Sequence, residues 1–158
     1  MSLEKVRQYL QTYGAETRIR EFSVSSATVA LAAEALSCEP CRIAKTLAFD
    51  ANGQTVVIVT AGDCKIDNAK YKTFFHVKAK MLSAEETLSR TGHAVGGVCP
   101  FALPEEVAIY LDKSLQRFTT VFPACGSSNS AIEVTPDELS EITRPQGWID
   151  VCKLIAPE

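Results

Sequence analysis

The 158-residue sequence predicts a single α+β domain with a mixed β-sheet, and three observations carry that expectation. Apolar residues recur at helical spacing in some segments and gather in β-branched runs in others, and the two kinds interleave irregularly along the chain. Two β-rich runs, IAKTLAFD and QTVVIVTA, flank Ala51-Asn52-Gly53. An Asn-Gly pair tolerates the positive φ angles of tight hairpin turns, so at least one antiparallel pair is expected. Length and composition fit one core: a chain of this order buries roughly two thirds of the surface it would expose unfolded. With 46% hydrophobic and 22% charged residues it lacks the signature of disorder. No linker, repeat or low-complexity tract divides it, which predicts one domain over residues 1–158.

The elements follow in order. Leu3, Val6, Leu10 and Tyr13 recur every three to four residues, with Ser2 as N-cap and Gly14 just past the end, which predicts an amphipathic helix. A short extended piece is expected around residues 17–22, and Ser26 is placed as the cap of an alanine-rich helix running to Leu36. The turn Cys38-Glu39-Pro40-Cys41 then leads into the hairpin. Residues 67–75 are expected to be helical, and Ser83-Ala84-Glu85-Glu86 forms a capping box that opens a short helix stopping before Gly92. The Gly- and Pro-rich run HAVGGVCPFALPEE is assigned to a loop. Val107 to Leu111, Thr119 to Phe122 and Ser130 to Val134 have the β-branched and aromatic content of strands. Thr135, Pro136 and Glu138 supply cap, first-turn proline and capping glutamate for a last helix through Ile142, and Trp148 to Cys152 is expected to add a final strand.

A formal net charge of −3 and a pI near 5.5 leave no basic tail of the kind that grips nucleic acid non-specifically, so any nucleic-acid contact must be local. The N-terminus has no uninterrupted apolar core of a signal peptide, and no window approaches bilayer length. A cytoplasmic location is expected, with no membrane partner. The six cysteines are then expected to be reduced thiols, buried as small hydrophobes.

Four stretches carry candidate chemistry. Cys38 and Cys41 have the spacing of a redox pair or half a zinc site, but no second Cys/His pair completes a metal site. The CxxC also ends a helix rather than opening one, so a structural turn is preferred. Lys45 interrupts an apolar run; it either faces solvent on an amphipathic hairpin or, taken out of water, must find an anion such as a ligand phosphate or carboxylate. The loop His93-Ala94-Val95-Gly96-Gly97-Val98-Cys99-Pro100-Phe101 pairs glycines with a proline, which lets backbone N–H groups aim at an oxyanion, although ordinary turn chemistry explains such a loop more often than catalysis does. Pro123 to Ser130 is a small-residue stretch offering hydroxyls, an amide and the Cys125 thiol. No Ser-His-Asp or Cys-His spacing argues for a nucleophile.

RIAKTLAF, VVIVTAGD, SAEETLSRTGHAVGGVCPF, EVAIYLDKSL and AIEVTPDELSEIT, in this order, resemble the editing domain of bacterial prolyl-tRNA synthetase and its free-standing YbaK-type relatives, over about Ser26 to Cys152. The resemblance implies a mixed, barrel-like sheet flanked by helices and a trans-acting deacylase that hydrolyses the ester of a mischarged aminoacyl-tRNA without a cofactor or metal. It implies Lys45 as the essential residue, contacting the terminal adenosine or its phosphate, with Gly96, Gly97 and Val98 presenting amides to the aminoacyl carbonyl. Thr46, His93, Cys99, Pro100, Gly126 and Ser127 are the implied substrate contacts. Water, assisted by the substrate's ribose hydroxyl, attacks the ester. The implied partners are the 3′ aminoacyl end of tRNA and an aminoacyl-tRNA synthetase, not DNA. The alternative is a non-catalytic module that binds the same aminoacyl end. Ala131 stands where relatives that remove cysteine commonly carry an aspartate, and Cys99 where serine or threonine is usual, which leaves the amino acid open. Lys65, Lys70, Lys72, Lys78 and Lys80 are the densest basic stretch, a solvated face or a contact for the acceptor stem.

Overall fold

The computed structural model describes residues 2–155. Along the chain lie α1 (Ser2–Gln11), β1 (Arg20–Glu21), α2 (Val29–Leu36), β2 (Ile43–Ala51), β3 (Gln54–Ala61), β4 (Cys64–Ile66), α3 (Asn68–Phe75) and α4 (Ala84–Thr91). After a long loop come β5 (Ala108–Asp112), β6 (Phe122–Pro123), β7 (Ser130–Ala131), α5 (Pro136–Thr143), β8 (Gly147–Ile149) and β9 (Cys152–Leu154).

The expected hairpin is the centre. β2 and β3 pair antiparallel from Ala44 opposite Ala61 to Ala51 opposite Gln54. Asn52 and Gly53 take φ angles of +53° and +87°, the left-handed pair that a two-residue turn needs. β3 pairs parallel with β5, β5 with β8, and β6 with the start of β2. The central sheet therefore runs β6-β2-β3-β5-β8, is mixed as expected, and curls into a half-barrel. Two short pairs, β1 with β7 and β4 with β9, lie beside it.

Alternation along β2 and β3 gives each face its own partner. On one face an aromatic row links Phe49 to Tyr71 and Phe75 of α3 and on to Tyr110, with ring centroids 5.2, 4.5 and 5.2 Å apart. On the other, Ala48 and Val57 pack with Leu82 and Val107. α2 lays Ala32 and Ala33 against Ile43 and Phe122, where β6 meets β2.

Several local expectations shift for identifiable reasons. Ser2 lies inside α1, and its hydroxyl is bound to His93 Nδ1. Ser26 does not cap α2: its N–H and hydroxyl both go to the Ser128 carbonyl, and Thr28 Oγ1 accepts from Leu31 N–H at 3.2 Å instead. The extended piece at 17–22 is a short 3₁₀ turn followed by only Arg20–Glu21. The strand expected at 119–122 narrows to Phe122–Pro123, while Val121 pairs separately with Val134. The one at 130–134 narrows to Ser130–Ala131 because that segment turns to meet Arg20 and Glu21. The final strand breaks in two: β8 joins the central sheet, Val151 N–H is caught by Asp112 Oδ1 at 2.9 Å, and β9 leaves to pair with β4.

Candidate functional site

Strand β2 is paired along the whole of one edge and split on the other. At its start Ile43 and Ala44 pair with Phe122 and Pro123. Near its end Leu82 N–H donates to the Ala48 carbonyl at 3.0 Å and Asp50 N–H to the Lys80 carbonyl at 2.9 Å, around a single bridge between Phe49 and Met81. Between the two, residues 45–47 have no ladder partner on that edge among the described residues. The flanking segments part there and open a cavity of about 390 Å³.

Lys45 is the one charged side chain on the cavity wall, half-buried, and no ion pair or hydrogen bond of its ammonium is present among the described residues. Burial pulls its pKa below the ordinary lysine value; the Cys152 and Cys64 thiols and Asp63 work weakly the other way. Asp63 is already engaged, since Arg117 donates to its two oxygens at 3.0 and 2.6 Å. The cation therefore lacks a counter-ion of its own, and an anionic ligand would restore its charge. The wall also carries five hydroxyls. Those of Ser26, Thr28, Thr87 and Ser130 have protein partners, whereas Thr46 Oγ1 is buried with none.

The glycine-rich loop forms the opposing wall through Val95, Gly96 and Val98. Gly96 takes φ +96°, a left-handed conformation that suits glycine. Gly97 does not reach the cavity: its N–H closes a turn on the Ala94 carbonyl at 3.0 Å, and a Cβ there would sit 2.9 Å from the Ser127 backbone. The N–H groups of Gly96 and Val98 have no protein acceptor among the described residues. Both residues line the cavity that Lys45 and Thr46 also line.

Of the other residues singled out in the sequence, His93, Cys99, Pro100, Gly126 and Ser127 stand behind this wall. His93 is 1% exposed; its Nε2–H donates to the Phe101 carbonyl at 2.8 Å and its Nδ1 accepts from Ser2, so it staples both ends of the loop to α1. Cys99 Sγ lies 3.5 Å from His93 Nε2, and burial pushes its thiol up to about 12. Pro100 is buried beside it. Gly126, at φ +89°, lets α1 approach: a Cβ would meet Ser2 and Val6 at 2.8 and 2.9 Å. Ser127 shares its hydroxyl with Asn129 and Ser130. Ser130, from the small-residue stretch, is on the wall itself, with Met81, Leu82 and Phe122, which no motif marked.

Cys38 and Cys41 are free, half-buried thiols whose pKa values burial raises, the opposite of an activated redox cysteine. Among the described residues no three His, Cys, Asp or Glu side chains converge as a metal site requires. The basic stretch divides. Lys70 is held by Asp150 and the Cys152 carbonyl, both at 3.0 Å, whereas Lys80 adjoins the cavity wall at Met81.

The sequence profile of the aminoacyl-tRNA editing domain matches residues 24–142, a span that contains both cavity walls. The chain belongs to that family. It is 54% identical over 154 residues, 97% of this chain and 98% of the relative, to the uncharacterized protein YwhH of Bacillus subtilis. It is 29% identical over 116 residues to EbsC of Enterococcus faecalis, named as a candidate Cys-tRNA(Pro)/Cys-tRNA(Cys) deacylase, with 72% and 71% of the two chains covered. The crystal structure of a candidate trans-editing enzyme for prolyl-tRNA synthetase superposes with a TM-score of 0.87 at 27% identity, covering 96% of this chain and 97% of that one. The mixed, half-barrel α+β architecture is that of the editing-domain fold.

Proposed function

We propose that the protein is a trans-acting deacylase that hydrolyses the ester of a mischarged aminoacyl-tRNA in the cytoplasm, receiving the 3′ aminoacyl end from solution or from a synthetase. The observation that carries this is the cavity at the split edge of β2, lined by one unpaired cation, Lys45, and by Gly96 and Val98, whose N–H groups have no protein acceptor among the described residues. Lys45 anchors the terminal nucleotide through its phosphate or ribose. The loop amides polarise the ester carbonyl. Water adds to the carbonyl carbon, the tetrahedral oxyanion is held by those amides, and its collapse breaks the acyl–oxygen bond; the ribose oxygen leaves and takes a proton, with the neighbouring ribose hydroxyl relaying it. A well-placed oxyanion donor contributes about 3 to 4 kcal/mol. An acidic protein suffices because only the acceptor end has to enter.

A second reading, a module that binds the aminoacyl end without turnover, draws on the absence of any carboxylate, imidazole or thiol on the cavity wall to serve as general base, among the described residues. Single-turnover deacylation over a panel of mischarged tRNAs separates the two. Wild-type protein is expected to hydrolyse at least one of them, and Lys45→Ala to lose on the order of 10²-fold in rate while melting unchanged, since an anchoring charge pair is gone. Equal hydrolysis by both proteins removes the lysine from the mechanism. Because burial lowers the Lys45 pKa, activity that depends on its cation falls on the alkaline side sooner than for an exposed lysine.

A further inference from the structure

Antiparallel pairing sends the N–H and C=O of alternate residues to opposite edges of a strand. On β2 the Ala48 carbonyl and the Asp50 N–H reach outward to Leu82 and Lys80, so the even-numbered residues present their backbone groups to the split edge. Thr46 belongs to that set. The ladder with β6 stops at Ala44, and no bond from residues 80–82 extends past Ala48. Its N–H and C=O therefore point to the cavity edge unpaired, whereas its hydroxyl is sealed in the protein without a partner. Backbone N–H and C=O groups are almost always satisfied, so the two unpaired main-chain groups of Thr46 are free to pair with a ligand. Tyr71 Oη is also unpartnered, but it is a single atom of a residue off the cavity wall.

The ligand's own charge says which part of it comes here. An aminoacyl ester brings an α-ammonium, and the cavity wall offers that cation no carboxylate among the described residues, only a repelling Lys45. Strand alternation turns the Lys45 side chain to the opposite face from the Thr46 side chain, and a main-chain carbonyl is left as acceptor. Resting on the aminoacyl-site reading above, we propose that the Thr46 main chain docks the amino-acid part of the substrate as one more strand residue would: its C=O accepts from the α-ammonium and its N–H donates to the ester carbonyl alongside the loop amides. The site then demands a free α-amine whatever the side chain, which lies among Ala44, Ala48, Leu82 and Ala131.

The test uses the non-hydrolysable amide 3′-(alanylamino)-3′-deoxyadenosine, its des-amino counterpart carrying a propionyl group, and its N-acetyl counterpart, each titrated calorimetrically into the full chain. The amine-bearing probe is expected to bind at least about tenfold tighter than the other two, the size of a hydrogen bond to a charged group. Thr46→Val keeps the β-branched shape and the main chain, and is expected to keep the amine preference. Equal binding with and without the amine overturns this inference alone, and loss of the amine preference in Thr46→Val overturns the assignment to the main chain. Failure of every probe to bind overturns it together with the aminoacyl-site reading.

Discussion

His93 and Thr46 are two polar residues withdrawn from water, and the fold treats them in opposite ways. His93 has every polar group in use: Nε2–H on the Phe101 carbonyl, Nδ1 on the Ser2 hydroxyl, and its backbone N–H on Thr91 Oγ1 at 3.1 Å. Thr46 has a buried hydroxyl, an N–H and a C=O with nothing to bind. A polar group that is fully partnered holds structure together, whereas one left open lowers stability until a ligand arrives. The contrast assigns His93 to positioning the loop that carries Gly96 and Val98, and Thr46 to the ligand.

The largest effect that would sharpen this contrast is expected from His93→Ala. It leaves the Phe101 carbonyl and the Ser2 hydroxyl without partners and hollows a fully packed site, a loss of about 3 kcal/mol in denaturant unfolding. Thr46→Val is expected to move the other way by a smaller amount, a gain of up to about 1 kcal/mol, because it replaces an unsatisfied hydroxyl by a methyl group of the same shape. Stability lost equally in both variants would break the distinction between scaffold and site.

What the sequence made legible follows the same division between local and distant causes. The Asn52-Gly53 hairpin and the capping boxes at Ser83 and Thr135 were readable because each is decided by residues within one turn of one another. Lys45 stood out as a charge inside an apolar run, and the spare amides of the loop were foreshadowed by its paired glycines. The cavity itself was not readable. It exists because β2 has two different neighbours on one edge, Phe122 and Met81, which are far from it in sequence and carry no motif. The same blindness misplaced the cap of α2: Ser26 and Thr28 both precede Val29, and only the distant Ser128 carbonyl, by holding Ser26, leaves the role to Thr28. It also put His93 and Cys99 in the pocket, although the turn closed by Gly97 sends them to the other side of the wall.

The smallest effect is a dependence of stability on pH that His93 alone is expected to carry in this comparison, since Thr46 does not titrate. Burial lowers the His93 pKa in the folded protein; the Phe101 carbonyl opposes this, and Lys5 adds to the lowering. In the unfolded chain the imidazole returns to about 6.5. Above that value neither state holds the proton and the contribution of the neutral ring is complete. As pH falls below it, the unfolded chain takes up a proton that the folded ring resists, so stability declines until the lowered folded pKa is passed. Protonation would also turn Nδ1 from an acceptor into a donor, reversing the direction of its bond with the Ser2 hydroxyl. Unfolding midpoints measured in parallel for wild-type and His93→Gln proteins should therefore diverge as pH drops from about 7 to about 5, the wild type losing more. Parallel curves would mean that the ring is not held neutral by its burial, and that the staple is no stronger than its two hydrogen bonds.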